Sequence, residues 1–567
     1  MGLLKIKVMK RNIFLIVLAA AMFVTGSASA QGNVAGYWFG GLLVERERVN
    51  PMDVFSLSQT QFNYGTARSM GMAGAFTSLG ADMASMTLNP AGLGMYRHSE
   101  LTITPLVTAS RASNSAPANA SNSSSRFALG SIGLVVNAYE GTGSVLSVNL
   151  GFGYNRIADY NYNYSFWQDG NGSTLGGVLA TQLKESKGKI GINSNNRIAD
   201  SFGNYDYGLS TELWGGVLGY KCGLLNCYGR DEWGRNIWGL DEYPMPFYTD
   251  QYASVESRGS AGEYTFSLGM NFNNKIYFGA TVGIMRFNQK RTITYGENIY
   301  PDEGADPEAL ALEYFDYAQW SSMSGTGVNL KLGLTWRPTD ALRLGIAFHT
   351  PTYYSMNFSY AAGMDSYAND GLYEDESTPR IDDNGPDAWE FASPARMLVG
   401  ASYTFGSFAV VSVDYERDWY NGIRMKHMPY GFSKQYYDDY FRDAFKGSNT
   451  VRIGAEVKPA PRLSLRAGYG YSGSMLRGSE TDDVLYMTPV IYQTNLWSLG
   501  LGYALSPRVS LDVAYQNVSS KTTDYSLFYA LAYDSAGRVD LGASDYSGIF
   551  STEFTRHNVA LTLSVKF

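Results

Sequence analysis

The side chains that could do chemistry are few and scattered. The 567-residue chain has four histidines, His98, His349, His427 and His557, too far apart in sequence to suggest a metal cluster or a nucleophile triad. Its two cysteines, Cys222 and Cys227, stand in Lys221-Cys-Gly-Leu-Leu-Asn-Cys-Tyr228. Outside the cytoplasm so close a pair is most simply a disulfide in a loop. The alternative, a redox or zinc pair, lacks further ligands, since no histidine lies nearby. Carboxylates gather in Tyr373-Glu-Asp-Glu376 and Asp382-Asp-Asn-Gly-Pro-Asp387. They could bind a divalent cation, but the spacing and closing glutamate of an EF-hand are missing, which favours a solvated acidic loop. No paired axial ligands for haem stand out. The expectation is a chain with no catalytic residues, no metal and no cofactor: not an enzyme.

The elements that surround these residues are more informative. Lys5, Lys7, Lys10 and Arg11 precede an apolar run from Ile13 to Val24, and Ala28-Ser29-Ala30 offers small residues for cleavage. Residues 1–30 are read as a signal peptide; as a membrane anchor the run would be shorter than the ~20 residues needed to span. Removing it takes four bases and no acids, so the charge of -8 becomes -12 over 537 residues, which argues against nucleic-acid binding. The remainder has no apolar run long enough for a membrane helix. Yet only 17% of residues are charged, while 14% are aromatic, with 43 Tyr and 62 Gly against 18 Pro. Mean hydropathy is -0.19. A membrane β-barrel has this profile, because its hydrophobicity falls on every second residue and window averages stay low.

From residue 99 onward the alternation is explicit. Val559, Leu561, Leu563, Val565 and Phe567 share one face, and Asn558, Ala560, Thr562, Ser564 and Lys566 the other. Fourteen such segments are predicted: 99–111, 125–139, 145–159, 261–273, 275–295, 320–337, 340–360, 390–405, 407–418, 449–458, 461–473, 491–505, 507–533 and 550–567. Tight turns such as Asn273-Asn274, Pro338-Thr339, Gly406 and Ser506-Pro507 alternate with long polar connections. A soluble sandwich or propeller would have no reason to segregate its loops in this way. The fold class is therefore all-β: a transmembrane antiparallel β-barrel of 14 strands. Parity puts Lys331, Arg343, His349, Asp414, Glu416, Arg452, Glu456, Lys458, Arg466, Asp512 and Lys566 inside, where both signs can pair. Trp336, Tyr469, Tyr471, Trp497 and Tyr503 fall on the apolar face near strand ends, where an aromatic girdle belongs.

Residues 31–98 do not read as strands. Ala67-Arg-Ser-Met-Gly-Met-Ala-Gly-Ala-Phe76, followed by Asn89-Pro-Ala-Gly92, resembles the N-terminal hatch of the FadL/TodX-type outer-membrane transporters of long-chain fatty acids and hydrocarbons. The resemblance continues in Gly333-Leu-Thr-Trp-Arg-Pro338, Ser393-Pro-Ala-Arg-Met-Leu-Val-Gly-Ala-Ser-Tyr403 and Val451-Arg-Ile-Gly-Ala-Glu456, and covers most of the chain apart from the long loops. It implies domains 1–30 (signal peptide), 31–98 (a hatch, or plug, of short helices in the lumen) and 99–567 (barrel), in the outer membrane of a Gram-negative bacterium. It further implies passive transport of a small hydrophobic ligand such as a long-chain fatty acid, with release sideways into the outer-membrane lipid. Asn89, Pro90, Ala91 and Gly92 would be the gating contact, beside a third strand kinked at Gly151 and Gly153. The partners implied are lipid and that ligand, with no nucleic acid, and the protein would act as a monomer. Three features depart from the family pattern: an apolar stretch at Tyr37–Val44, a connection over 160–260 and an acidic loop over 361–389. The 160–260 insertion motivates a rival reading as a non-transporting scaffold or shuttle subunit with a secretion or surface protein partner. A haem receptor and an enzyme are weaker alternatives.

Overall fold

The computed structural model describes residues 38–40, 42–43, 51–59, 65–115, 120–185, 213–230, 236–241, 243, 246–306, 311–383, 388–429, 433–477, 489–532, 535, 540 and 542–567. The proposed signal peptide lies outside them. Residues 38–530 and 545–567 form one compact unit, which contains the barrel and its interior.

Fourteen antiparallel strands close on themselves. They are β1 (Glu100–Asn114), β2 (Ser121–Glu140), β3 (Val145–Asp159, resuming as Tyr162–Asn171), β4 (Phe247–Phe272), β5 (Ile276–Pro301), β6 (Leu312–Trp336) and β7 (Leu342–His349, resuming as Tyr353–Ala368). There follow β8 (Arg396–Phe405), β9 (Ala409–Trp419), β10 (Gly447–Ala460), β11 (Leu463–Ser472), β12 (Ile491–Ala504), β13 (Val509–Thr522) and β14 (Thr552–Lys566). Closure comes from β14 on β1, with Lys566 opposite Glu100 and Thr552 opposite Asn114. Closure gives every strand two neighbours, which is the condition for strands to cross a membrane. Each of the fourteen segments expected from alternation is a strand. The short connections also fall together at one end, where Asn273 and Asn274 both adopt positive φ, 52° and 54°, in the three-residue hairpin turn between Phe272 and Ile276.

Strands 4 to 6 run further than alternation suggested, beginning at Phe247 rather than 261 in β4 and ending at Pro301 rather than 295 in β5. The reason is chemical. In the lower half, outward residues are apolar, as with Phe278, Val282, Ile284, Leu330, Leu332 and Leu334, each 38–44% exposed. In the upper half the pattern inverts: Val255, Ile293, Tyr295 and Phe315 point inward and are buried, while Ser254, Thr294 and Asp316 face out. The pleat continues, but its apolar face has changed sides, as expected where lipid gives way to water. β7 breaks at Thr350-Pro351-Thr352, because Pro351 has no N–H to give the ladder. The segment expected over 507–533 leaves the barrel ladder at Thr522; Tyr525, Leu527, Phe528 and Tyr529 turn inward and are buried, and Tyr529 and Ala530 pair instead with Tyr546 and Asp545.

The long connections fold over the open end. The 160–260 insertion supplies α2 (Leu175–Glu185), α3 (Trp214–Lys221) and a small hairpin of Leu225–Arg230 with Asn236–Leu240. Its cysteines are a correction to the sequence reading: Cys222 and Cys227 are both buried free thiols, not a disulfide. Cys222 ends α3 and its Sγ donates to Met364 O at 3.3 Å, whereas Cys227 lies in the hairpin opposite Trp238. Burial, with Glu376, Glu374, Asp365 and Asp375 nearby, pushes the Cys222 thiol up to about 12, so it stays protonated and unreactive. A further helix follows β9: with α1 denoting Pro51–Ser58, this is α4 (Lys434–Ala444), with Tyr437 and Phe441 buried. Phe445, just beyond α4, stacks on Phe55 of α1 with centroids 4.1 Å apart.

Candidate functional site

The lower lumen is filled by residues 65–98, a chain of capped turns rather than a packed helical domain. Thr66 caps the turn Ala67–Met70, Asp82 caps Met83–Met86, and Asn89 caps Pro90–Met95. Thr66 Oγ1 also donates to both oxygens of Asp82, at 2.8 and 2.9 Å, tying the first turn to the second. Small residues let this chain lie directly against the barrel wall. A Cβ added at Gly279, Gly333, Gly345 or Gly468 would land on the backbone or polar atoms of Pro90, Asn89, Thr77 or Met72 and Ala73. These inward glycines form the socket of the hatch.

Buried charges fasten hatch to wall. Arg466 bridges Glu456 and Asp512, each at 2.6 Å, and Arg68 of the hatch reaches the same Glu456 at 3.3 Å. Glu416 is shared by Arg452 at 2.6 Å and Arg396 at 3.1 Å. Asp414 accepts from the Thr77 backbone N–H at 2.8 Å. His349 Nε2 donates to Leu88 O at 2.9 Å, and its Nδ1 faces the Arg396 guanidinium at 3.2 Å, an arrangement that the neutral Nε2–H tautomer satisfies. Lys331 pairs with Glu263. Most of the charges expected inside are thus paired there; Lys458 is half exposed, 4.0 Å from Glu456.

The structure places Asn89 against β6, where its Nδ2 donates to Thr335 Oγ1 at 3.2 Å and also to Thr77 O at 2.6 Å. Pro90 and Ala91 abut Gly279 of β5, and Gly92 packs on Gly80 and Ser85 within the hatch. The hatch residues that touch Gly151 and Gly153 are Met83, Met86 and Leu93. Both glycines lie in regular register, opposite Ser267 and Thr265. The irregularity of β3 comes later, as a register shift between Arg156 and Ala158 and a break at Tyr160-Asn161.

That break opens the barrel wall. β2 and β3 are paired only as far as Ser131 opposite Asn155. Beyond it, β2 stays with β1 and β3 with β4, until Asn122 meets Asn163 and Ser165 through side chains at 3.3 and 3.2 Å. Between these limits lies a window whose outer rim carries Phe127, 72% exposed, with Leu129, Ile132, Tyr154 and Tyr264. The segment Arg156–Asn161 forms its inner side, braced by Arg156 to Asp159 at 2.7 Å, Asn161 to Gly259 O at 3.0 Å and Arg556 to Asp159 O at 3.0 Å.

Two cavities lie behind the window and above the hatch, sharing Gln59 and Tyr160 in their linings. The upper, of about 180 Å³, is walled by Phe55, Tyr160, Tyr162, Tyr164, Tyr420, Met475, Ile491, Tyr492 and Phe554, with Arg291 and Arg556 among its few charges. The lower descends past Ile157, Met285 and Phe287 to Lys331, His349 and Arg396. An aromatic chamber whose wall also carries serine, threonine and glutamine side chains suits a small hydrophobic molecule oriented by polar contacts. Sequence reasoning missed Arg156, Asp159, Asn161 and the tyrosine series; the available signal was Asp159-Tyr-Asn161, which interrupts the alternation of β3.

Glu297 of β5 holds the start of α2. Its carboxylate accepts from Leu175 N at 2.7 Å and Thr174 Oγ1 at 2.5 Å, capping α2. Burial raises its pKa to about 7, and Asp545, which approaches the same helix start, is likewise raised to about 7. Tyr243 and Tyr295 are the other titratable groups facing it. A raised carboxyl is stabilising while protonated, so docking of α2 should be strongest near pH 5 and weaken as pH rises through about 7. Hydrogen exchange of amides 176–185, corrected for intrinsic rates, should show protection falling about tenfold between pH 5 and pH 8. In Glu297→Gln that fall should shrink, leaving the part due to Asp545.

A belt of outward apolar side chains around a closed ladder, with paired charges inside, defines a lipid-facing β-barrel of the outer-membrane type, closed by an internal hatch. In fold the chain is similar to the Pseudomonas putida toluene transporter TodX, with 13% identity over 88% of this chain and 98% of that one and a TM-score of 0.46. It is similar also to a Pseudomonas aeruginosa FadL homologue (13% identity, 89% and 98% covered, TM-score 0.47) and to the Ralstonia pickettii toluene transporter TbuX (14%, 88% and 98%, 0.46). No family model and no curated protein matches the chain.

Proposed function

We propose that this protein is a FadL/TodX-type passive transporter of small hydrophobic compounds across the outer membrane, acting as a monomer. The ligand enters the aromatic chamber from outside and leaves sideways into lipid through the window between β2 and β3. The observation that carries this reading is the unpaired stretch of wall between Ser131–Asn155 and Asn122–Asn163, directly beside the chamber and above an intact hatch. Arg156–Asn161 is then the moving part of the gate. Asn89 acts at a distance, by holding the hatch turn Pro90–Met95 from which Leu93 reaches Gly151. The chamber's apolar and aromatic wall, with Arg291 and Arg556 in its lining, supports a ligand with an apolar body, a long-chain fatty acid among the candidates. The 160–260 insertion, which motivated a scaffold role, buries Trp214, Val217 and Leu218 in the same apolar cluster as the chamber walls, so it serves the barrel's own interior.

The test is uptake of a labelled long-chain fatty acid and of a labelled monoaromatic hydrocarbon by cells with the wild-type protein, without it, and with Asn89→Ala. Loss of the cap and of the bonds to Thr335 and Thr77 should cut uptake severalfold with the barrel still assembled. Equal uptake of both compounds in all three strains would overturn transport.

A further inference from the structure

Above the apolar belt the upper part of β3, then β4, β5, β6, β7 and the short strand Tyr373–Ser377 continue as one six-stranded sheet. Its outward face has a composition of its own. One row across it reads Trp167, Tyr252, Gly296, Asp316, Asp365, Asp375, and the next includes Tyr314, Tyr367 and Tyr373. No side chain larger than alanine in these rows is aliphatic, in contrast to the Leu, Ile and Val of the belt. Trp167, Trp320 and Tyr373 are 45–54% exposed. Three ring pairs lie nearly parallel: Tyr248–Tyr300, Trp167–Tyr252 and Tyr314–Tyr367, with centroids 5.2–5.8 Å apart.

Two features of this face are costly to the barrel by itself, although Asp316 accepts from the Tyr252 hydroxyl at 2.5 Å. Large rings are left in water. Asp316, Asp365 and Asp375 stand directly opposite one another on three strands, where like charges repel. Partial burial, and then the carboxylates of Asp316 and Asp375, hold the Asp365 carboxyl above its usual range. Lower down, at the upper edge of the belt, Arg286 and Lys290 are exposed on β5, and across the ladder Lys290 faces Arg258 of β4, which is also ion-paired with the exposed Glu256. From the Lys290 row to the Asp316 row is six residues, about 20 Å of strand. The outward order is therefore apolar, then cationic, then aromatic with carboxylates and hydroxyls.

A lipopolysaccharide standing beside the barrel has the matching order: acyl chains, phosphates, then sugars. We propose that this face docks the sugar chain of a lipopolysaccharide in the same leaflet, its phosphates held by Arg286, Lys290 and Arg258. Aromatic rings pack on the C–H faces of pyranoses, and carboxylates and hydroxyls accept and donate to sugar hydroxyls. The aspartates exclude anionic sugars, so the units bound are neutral or amino sugars. The same negative charge disfavours pairing with a second copy of the chain, because the face would meet its own aspartates.

The experiment is native mass spectrometry of the full-length protein in detergent, titrated with full-length lipopolysaccharide and with lipid A lacking its sugars. Tyr314→Ser with Tyr367→Ser removes a ring pair; Arg258→Gln with Lys290→Gln removes the cations. Both double variants should assemble, read from unchanged heat-modifiable gel mobility, since every change lies on an exposed face. Full-length lipopolysaccharide should bind the wild type about tenfold more tightly than lipid A, and the ring variant should lose that advantage while binding lipid A normally. The cation variant should weaken both. Equal affinity of the wild type for the two lipids, an unaltered ring variant, or a dimer in place of a lipid complex would each overturn the proposal.

Discussion

Arg466→Met is expected to destabilise the barrel by about 3–5 kcal/mol, more than any other single change to its charges. Arg466 sits at the centre of an array in which it neutralises Glu456 and Asp512, both within 2.6 Å and both buried. Methionine fills much of the volume but leaves Glu456 with the partly exposed Arg68 and the distant Lys458, and takes from Asp512 its paired cation. Two buried carboxylates then lack full compensation in a region of low dielectric, and the hatch loses rigidity at Arg68. The urea midpoint of folded barrel, read by heat-modifiable gel mobility, should fall markedly. Arg258→Gln, which removes only an exposed pair with Glu256, should leave it unchanged. A midpoint for Arg466→Met within error of the wild type would mean that the lumen charges are solvated rather than paired.

Gly333→Leu should act on the hatch instead of the barrel. A side chain there falls on Asn89 Oδ1 and beside Ala91 N and Pro90 Cδ, so the turn Pro90–Met95 must leave its seat. The strand itself can remain, since Gly333 is paired on both sides, with Gly279 and Ala347, and neither bond requires glycine. The expected result is a barrel that still assembles but leaks: conductance in planar bilayers should rise at least tenfold over the wild type, because polar solutes pass once the plug shifts. Unchanged conductance together with unchanged exchange protection of residues 89–95 would show that the hatch can absorb the intrusion.

Much of the architecture was legible in the chain because a membrane barrel writes its environment into every second residue. The alternation of Leu330, Leu332 and Leu334 with Asn329, Lys331 and Gly333 identified β6 and its two faces at once. The same rule lost its grip above the belt, where the apolar side moves inward and Ser254 or Thr294 faces water; the strand ends there were underestimated for that reason. Gly151 and Gly153 illustrate a second limit. A glycine in a strand marks close approach as often as a bend, and here Met86 and Leu93 fill the space while the ladder with β4 stays in register. Cys222 and Cys227 illustrate a third, since five residues of separation say nothing of the helix end and hairpin that hold them apart.

The sequence by itself determined the fourteen strands, their order, which face meets lipid, and the charges that must find partners inside, because these follow from local periodicity and from the cost of an unpaired charge. Tertiary structure alone decided where the wall opens and what seals it. Whether Asn155 is the last residue of β3 to pair with β2, and which hatch atoms meet Gly279 and Gly333, depends on contacts between segments up to about 240 residues apart. No local pattern encodes such distances; they are settled only when the closed ladder fixes the lumen's width and the hatch has to fit it.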